Sequence, residues 1–428
     1  MVRLVRGTIF HTPQNPFIAD KALEVYEDGA LVYDETVIAL GDHQTLRARH
    51  PDAESTEYSG AYILPGFIDT HVHYPQIPVL GAMGLRLLDW LETRTLPEES
   101  KFADADYARK AAKTFLAQLA RSGTTTALVF GAHFATAMDV FFDEAIKTGL
   151  RLSSGLVLAD RMLTDALHTS AKKAYEENKM LIERWHNKGR LRYAVTPRFS
   201  LSCSDELLAV CGDLLSETPD LLFTSHINEQ LDEISTVLNL FENARDYLET
   251  YEAHKLLGER TVLAHNVHVT DNELVRIAAS KTSIAHCPSS NMFIGSGLFP
   301  LKRHLEKNIN VALGSDVGGG TGFSLFKEGL MAYQAQMLRE DGYPLSAAHL
   351  LYLATVAGAK ALQLGETVGD FQQGKAADFI VVKPPNKSTL AATLEHSPSA
   401  EASLASLFTL AREDSIISVY VGGERLTL

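Results

Sequence analysis

The sequence predicts an α/β fold in which eight parallel strands form a barrel ringed by helices, beside a small β-sandwich domain built from both termini. The middle of the chain alternates apolar strand-like segments with amphipathic segments of helix length, a pattern typical of repeated β-then-α units and a parallel sheet. Both ends of the chain instead carry short strand-like segments separated by Pro, Asp and Gly. A (β/α)8 barrel, of the TIM-like kind, places functional residues at the carboxyl ends of its strands.

Length and composition agree with this fold. The chain has 428 residues, of which 46% are hydrophobic and 21% charged, as in ordinary globular proteins with a sizeable core. A barrel with additions can contain this many residues. The three cysteines, Cys203, Cys211 and Cys287, have no Cys-x-x-Cys spacing and predict neither a disulfide framework nor a zinc knuckle.

Charge and hydropathy exclude several classes of partner. A formal net charge of -14 argues against nucleic acid, whose phosphates attract basic surfaces. Residues 1–7 have no apolar signal core, and no run of about 18 apolar residues occurs. We therefore expect a soluble cytoplasmic protein with no membrane partner.

The elements are predicted in chain order. Strands at the amino terminus are expected over residues 4–10, 22–26, 30–34 and 36–40. The eight barrel strands are expected over residues 62–68, 124–130, 152–158, 191–196, 221–225, 261–264, 282–285 and 310–314, and clear amphipathic helices over 104–122, 172–187, 271–280 and 324–338. Strands 379–382 and 416–421, the second followed by a Gly-Gly hairpin turn, predict the carboxyl-terminal part of the β domain. The expected division is 1–62 and 373–428 for the β domain and 63–372 for the barrel.

Two histidines lie one residue apart at the end of the first barrel strand. Residues i and i+2 of an extended chain point to the same side, so His71 and His73 can reach one point just beyond that strand. A lone His-x-His pair could equally be structural. Five of the sixteen histidines, however, fall at predicted strand ends, together with one aspartate: His71, His73, His226, His265, His286 and Asp316. That coincidence favours a functional site.

The residue types at these strand ends indicate a metal. We expect His71, His73, His226 and Asp316 to be ligands, because three imidazoles and one carboxylate suit zinc or ferrous iron better than magnesium or calcium. Zinc is the first choice, since it lowers the pKa of bound water to about 7. His286 is expected to make structural hydrogen bonds.

Several motifs resemble the amidohydrolase superfamily. They are Pro-Gly-Phe-Ile-Asp-Thr-His-Val-His at 65–73, Ser-His-Ile-Asn-Glu at 225–229, Leu-Ala-His at 263–265, Ala-His-Cys-Pro-Ser-Ser-Asn at 285–291 and Leu-Gly-Ser-Asp at 313–316. Within it, His-Tyr-Pro-Gln at 73–76, the segments 88–92 and 123–126, and Thr-Pro-Arg-Phe-Ser-Leu-Ser-Cys at 196–203 are similar to the guanine deaminase family. The resemblance implies hydrolytic deamination of guanine by a homodimer. Thr196-Pro-Arg stands where related binuclear sites have a bridging carboxylated lysine, which implies one metal per chain.

The resemblance also implies roles for the residues around the metal. The substrate contacts are expected to come from His73, Gln76, Arg198, Phe199, His226, Glu229 and Asp316. Arg198 offers a fork of donors for the ring carbonyl, and Gln76 an amide that donates and accepts. Asp316 is expected to take a proton from water, Glu229 to protonate the ring, and His265 to orient the attacking hydroxide. Trp90 is either a wall of the pocket or a helix anchor.

Three alternative functions remain open from the sequence. One is another deaminase or chlorohydrolase of the same superfamily, acting on 8-oxoguanine, a triazine or an adenosine-like compound. A second is cyclic-amide hydrolysis, although that activity usually needs the missing lysine. The third is an inactive barrel retained as a binding protein, which the complete set of candidate ligands disfavours.

Overall fold

The computed structural model of the protein describes residues 1–427. Its strands are β1 Arg3–His11, β2 Glu24–Tyr33, β3 Val37–Asp42, β4 Glu54–Pro65, β5 Phe67–His73, β6 Thr124–Phe130, β7 Arg151–Gly155, β8 Val157–Leu158, β9 Leu191–Pro197, β10 Leu222–Ile227, β11 Thr261–His265, β12 Ser283–His286, β13 Val311–Leu313, β14 Phe379–Val382, β15 Ile416–Val421 and β16 Glu424–Arg425.

The helices lie mostly between the central strands. The α-helices are α1 His43–Arg49, α2 Leu87–Trp90, α3 Leu96–Glu99, α4 Ala105–Arg121, α5 Ala135–Thr148, α6 Ala171–Trp185, α7 Asp205–Glu217, α8 Leu231–Leu240, α9 Tyr247–Glu252, α10 Asp271–Ser280, α11 Pro288–Phe293, α12 Leu301–Leu305, α13 Leu325–Leu338, α14 Ala347–Ala354, α15 Val356–Ala361, α16 Thr389–Glu395 and α17 Ala400–Leu410. Short 3₁₀ turns cover Tyr74–Val79, Ser100–Ala103, Asp165–Leu167, Ser200–Ser202 and Glu413–Ser415, and a π-helical turn covers Leu91–Thr95.

Eight parallel strands form the predicted barrel, which confirms the fold class. They lie in the order β13-β12-β11-β10-β9-β7-β6-β5, and the short β8 pairs with β9. First and last strands meet through Asp69, whose carboxylate accepts hydrogen bonds from the backbone N–H (3.0 Å) and hydroxyl (2.5 Å) of Ser315. The backbone N–H of Asp316 also donates to the His71 carbonyl at 2.8 Å. These contacts bring two candidate ligands, His71 and Asp316, side by side.

One end of the barrel is filled with apolar side chains. Ile68, Leu222 and Val262, near the amino-terminal ends of their strands, pack with Ala359 and Leu362 from α15 and its carboxyl end. Burial of this cluster closes that end to water. Any pocket inside the barrel therefore opens at the carboxyl ends of the strands.

The β-rich domain from both termini is confirmed, but its strands form one curved sheet and not two facing sheets. The order is β16-β15-β14-β4-β1-β2-β3, with β1 and β4 parallel and the other pairs antiparallel. Tyr33 on β2 and Phe379 on β14 are three strands apart, about 14 Å in a flat sheet, yet their ring centroids are 5.2 Å apart. The sheet thus curls over its own apolar core, as two sheets of a sandwich would do together.

The predicted first barrel strand was misplaced. Residues 62–65 belong to β4 of the terminal sheet, and the barrel strand β5 runs from Phe67 to His73. Gly66 separates the two strands, and a side chain there would collide with Thr125, since an added Cβ would lie 2.2 Å from its Oγ1. His71 and His73 consequently lie inside the strand and not beyond its end.

Other predictions of elements are largely confirmed. The strands 124–130, 379–382 and 416–421 match β6, β14 and β15, and the helix 271–280 matches α10. The two strands expected over 22–26 and 30–34 are one strand, β2. Between β14 and β15 the chain forms α16 and α17, and Phe408 of α17 packs edge-on against Phe326 of α13, 5.2 Å between centroids. No helix within residues 1–427 is long and apolar enough to cross a membrane.

Candidate active site

Four predicted ligands converge at the carboxyl ends of three strands. The Nε2 atoms of His71 and His73 on β5 are 3.1 Å apart, and His226 Nε2 on β10 is 3.2 Å from that of His73. Asp316, which follows β13, places Oδ1 3.3 Å from His71 Nε2 and 3.2 Å from His73 Nε2. An ion bound tetrahedrally at about 2.0–2.1 Å has ligand atoms about 3.3 Å from one another. The spacing of the four side chains matches that of a metal site.

The protonation of the imidazoles also fits a cation. His226 donates its Nδ1–H to the Arg198 backbone carbonyl at 2.5 Å, so its Nε2 carries a lone pair directed at the other ligand atoms. Burial lowers the pKa of His71 to about 4, although Asp316 opposes the shift. Burial also holds the pKa of His226 well below its usual range. These buried neutral imidazoles and one carboxylate provide the donor set that zinc or ferrous iron prefers.

His265 lies at the border of this cluster. Donor atoms of His71, His226, His265 and Asp316 are all within 4.8 Å of one another. His265 Nε2 is 3.8 Å from Asp316 Oδ2 and 3.6 Å from Glu229 Oε2, farther than the contacts among the four predicted ligands. Its ring is oriented by Asn291, whose Oδ1 accepts the His265 Nδ1–H at 2.9 Å.

Backbone strain marks the same strand ends. His265 and Asp316 have φ of 73° and 47°, and Asn228 and Asn266 have 50° and 51°. Non-glycine residues rarely adopt this left-handed region, and where they do the strain often serves a functional geometry. Here it turns the chain sharply after β10, β11 and β13, where the candidate site residues begin.

A cavity joins the histidine cluster to the predicted substrate contacts. The lining residues include His73, Gln76, Trp90, Arg198, Phe199, His226, Glu229, His265 and Asp316. The structure therefore brings the predicted substrate contacts together around one cavity, beside His71. Trp90, the last residue of α2, forms part of the cavity wall.

Two carboxylates in this cavity have opposite electrostatic properties. Burial and the nearby charge of Asp316 raise the pKa of Glu229 well above its usual range. Burial opposes ionisation of Asp316 too, but its close contacts with the His71 and His73 imidazoles outweigh burial and hold the pKa of Asp316 well below its usual range. The two carboxyls in this cavity thus have pKa values shifted in opposite directions, which is a common arrangement for acid-base chemistry.

Glu99 is a buried site residue that the sequence did not reveal. Its side chain contacts both Gln76 and Arg198. Gln76 was expected to donate to and accept from the substrate edge; within the protein, Nε2 already donates to Glu99 at 2.8 Å and Oε1 already accepts the Gly318 N–H at 3.1 Å. One N–H and one lone pair of Gln76 remain. In sequence, nothing distinguishes Glu99 from its neighbour Glu98.

Asn291 was missed for a different reason. The motif that contains it, at 285–291, has His286 at the predicted strand end and Asn291 five residues beyond it. Within residues 1–427 neither ring nitrogen of His286 has a protein hydrogen-bond partner, so the expected structural hydrogen bonds are not observed there. Its ring instead stacks on Phe299, 4.3 Å between centroids. The motif's polar contact to the site comes from Asn291.

The chain belongs to the amidohydrolase family, whose model matches residues 62–426. It is 55% identical over 429 residues to a probable guanine deaminase of Deinococcus radiodurans, with 99% of this chain and 98% of that protein covered. The structure of E. coli guanine deaminase matches with a TM-score of 0.96 and 39% identity, covering 99% of each chain. A guanine deaminase from C. acetobutylicum, described with guanine bound in its active site, matches over 100% of both chains at 28% identity and a TM-score of 0.92.

Proposed function

We propose that the protein is a guanine deaminase, which hydrolyses guanine to xanthine and ammonia. The observation that carries this proposal is the single cavity in which Gln76, Arg198 and Phe199 face the histidine cluster. Guanine is a flat ring edged with donors and acceptors, and these side chains offer matching polar groups and an apolar face. The similarity to guanine deaminases over the whole chain supports the same substrate.

We propose one zinc ion per chain, held by His71, His73, His226 and Asp316, with ferrous iron as the alternative. When bound, the ion supplies a water acidic enough to lose a proton near neutral pH. The arginine at position 198, in the Thr-Pro-Arg segment, supports a single ion, because no lysine is present there to bridge a second one.

The protein's own acids and bases account for the proton transfers. Asp316, ionised, accepts a proton from the water that attacks the ring carbon bearing the amino group. Glu229, protonated, donates to a ring nitrogen as negative charge builds there, and then helps to carry a proton to the departing ammonia. His265, held by Asn291, orients the attacking oxygen. The carbon-oxygen bond forms, the carbon-nitrogen bond breaks, and xanthine and ammonia leave.

The side chains that face the histidine cluster across the cavity orient the substrate. Arg198 donates to the guanine carbonyl, and the remaining N–H and lone pair of Gln76 meet the ring edge. Phe199, whose side chain is buried, offers a face for the ring, and its centroid is 6.0 Å from that of His226. Guanine would thereby lie between these three side chains and the histidine cluster.

The test is turnover of guanine by zinc-loaded protein, followed by loss of guanine absorbance and release of ammonia. Adenine, cytosine and 8-oxoguanine are assayed alongside. We expect a strong preference for guanine, with activity abolished by a chelator and by Arg198→Ala. No turnover of guanine, but metal-dependent release of ammonia from another compound, would refute the substrate and leave the metal chemistry standing.

We further infer a cytoplasmic homodimer that acts on the free base and not on nucleic acid. The net charge of -14 supports the free base as substrate, because a polyanion such as nucleic acid would be repelled. Sedimentation equilibrium tests the dimer: a monomer mass of 46.9 kDa across the concentration range would contradict it.

A further inference from the structure

We propose that Glu99 is a positioning residue for substrate recognition, whose buried carboxylate holds Arg198 and Gln76 in the orientations that face the cavity. The inference rests on the proposed guanine deaminase activity and assigns how that site distinguishes a purine with a ring carbonyl from one without. Glu99 ends α3 and does not line the cavity itself.

Glu99 links three segments that are distant in the chain. Its Oε1 accepts the hydrogen bond from Gln76 Nε2 at 2.8 Å. Its Oε2 accepts from Arg198 Nη1 at 2.5 Å and from His133 Nε2 at 3.1 Å. Gln76 follows β5, His133 follows β6 and Arg198 follows β9. A single carboxylate therefore ties together the loops after three barrel strands.

Arg198 keeps donors free because Glu99 uses one side of its guanidinium. The Arg198 side chain is 4% exposed, and Nη1 makes the contacts to Glu99 and His133. Within residues 1–427 the structure gives Nε and Nη2 no hydrogen bond, although Arg198 lines the cavity. Donors that the protein leaves unused are available to a ligand in the cavity. A carbonyl oxygen in the cavity is the chemistry that these donors suit.

Glu99 also decides which way the Gln76 amide faces. A carboxylate accepts and cannot donate, so the amide end next to Glu99 is the nitrogen. The oxygen then lies toward the Gly318 N–H, 3.1 Å away. With both ends fixed, Gln76 presents its remaining N–H and lone pair in one arrangement. A neutral amide at position 99 could either donate to or accept from Gln76, so the Gln76 amide could then adopt both orientations.

The charge of Glu99 is maintained by its neighbours. Burial disfavours the ionised carboxyl, but Arg198 and His133 outweigh burial and hold the pKa of Glu99 well below its usual range. Burial lowers the pKa of His133, so a neutral imidazole donates its Nε2–H to Glu99. The pair of Arg198 and Glu99 is thus a charged one, in which loss of Glu99 would leave a buried cation without its counterion.

The test compares Glu99→Gln with wild type by inhibition of guanine turnover. Hypoxanthine carries the ring carbonyl and purine lacks it, while neither has the amino group that is removed. We expect wild type to bind hypoxanthine more tightly than purine, and Glu99→Gln to reduce that preference by about tenfold or more, as loss of a charge-assisted contact predicts. KM for guanine should rise by more than kcat falls.

Glu98→Gln is the matched control. Glu98 is adjacent and buried, but it pairs with Lys101 at 2.6 Å and with the Tyr107 hydroxyl, away from the cavity. Its variant should retain the preference for hypoxanthine. If Glu99→Gln folds poorly, Glu99→Asp keeps the charge but is too short to contact all three donors, and an intermediate loss is expected.

Two results would overturn the inference. One is an unchanged preference in folded, metal-loaded Glu99→Gln. The other is equal weakening of hypoxanthine and purine, which a purely structural role would produce. If wild type turns over guanine, either result refutes only the positioning role of Glu99 and leaves the proposed function standing. Wild type without guanine turnover would defeat the proposed function itself.

Discussion

At the scale of single residues, Glu229 and Asp316 show how position decides chemistry. Both are buried carboxyls in one cavity, but His71 and His73 lie within 3.3 Å of Asp316, whereas the Glu229 carboxyl accepts a hydrogen bond from Ser296 at 3.2 Å. Without comparable contacts, burial and the nearby charge of Asp316 raise the pKa of Glu229 well above its usual range. The two groups can therefore act as acid and base at the same pH.

Replacing Glu229 by Gln tests this division of roles. The variant keeps the shape and a hydrogen-bonding oxygen but cannot transfer a proton, so kcat for guanine should fall by about 10²- to 10⁴-fold. Metal content and unfolding temperature should stay near those of wild type. Exposed Glu242→Gln serves as a control with normal turnover. A kcat within threefold of wild type in Glu229→Gln would exclude the proton-transfer role.

Site residues could be predicted from the sequence when their position along a barrel strand was enough to place them in space. His226 and Asp316 stand at the ends of parallel strands, and such ends meet at one face of a barrel. Glu99 lies on a short helix whose placement depends on tertiary contacts, and its partners are distant in the chain. Its adjacent neighbour Glu98 has the same side chain and a different environment. Pattern alone could not separate them.

At the scale of elements, the junction between β4 and β5 explains why the first barrel strand was misplaced. Residues 62–68 are continuously apolar because β4 and β5 are both buried, so hydropathy shows no boundary between them. The boundary is set by Gly66, where the chain approaches Thr125 of β6 too closely for any side chain. Hydropathy does not record this close approach, although the Pro65-Gly66 pair indicates a turn at the junction.

Gly66→Ala should therefore destabilise the protein. An added Cβ would lie 2.2 Å from Thr125 Oγ1 and 2.8 Å from its Cβ, and relieving this overlap requires β4 or β6 to move. We expect the free energy of unfolding to fall by about 2 kcal/mol or more. Gly258→Ala is the control, since nothing lies within 4 Å of its added Cβ. Equal stability of the two variants in denaturant titration would contradict the prediction.

At the scale of the whole molecule, the candidate metal site joins the two ends of the barrel sheet. His71 and His73 lie on the first barrel strand, and Asp316 follows the last. An ion held by these residues would bind the closed barrel and not the unfolded chain, so it would add to stability by mass action.

The barrel and a site at one of its ends could be predicted from the sequence, because the carboxyl ends of parallel strands meet at one face. The curled shape of the terminal sheet could not be predicted in this way. That shape follows from contacts between strands such as β2 and β14, far apart in sequence.

Metal removal should lower the thermal stability of the whole protein. We expect chelation to reduce the unfolding temperature by several degrees, and added zinc to restore it, as stabilisation of about 2.7 kcal/mol at a hundredfold excess over Kd implies. Asp316→Asn, which weakens a predicted ligand, should show a smaller response to the chelator. Identical unfolding temperatures with and without chelator, in protein shown to have lost its metal, would contradict this expectation.

The pH dependence of stability should contain a large contribution from Glu328. Burial raises the pKa of this carboxyl, on α13, to about 8, and its contact to the Ser289 N–H at 2.9 Å only partly opposes the shift. Because the folded-state pKa exceeds the unfolded value of about 4.5, the protonated carboxyl favours folding at low pH. Its contribution is lost as pH rises toward 8.

Glu328→Gln mimics the protonated form, so wild type should lose stability relative to this variant by at most about 1.4 kcal/mol per pH unit between about pH 5 and 8. Denaturant titrations of both proteins across this pH range measure the difference in their free energies of unfolding. Glu306→Gln, at an exposed position, is the control. A difference that does not change with pH would show that Glu328 is ionised in the folded protein.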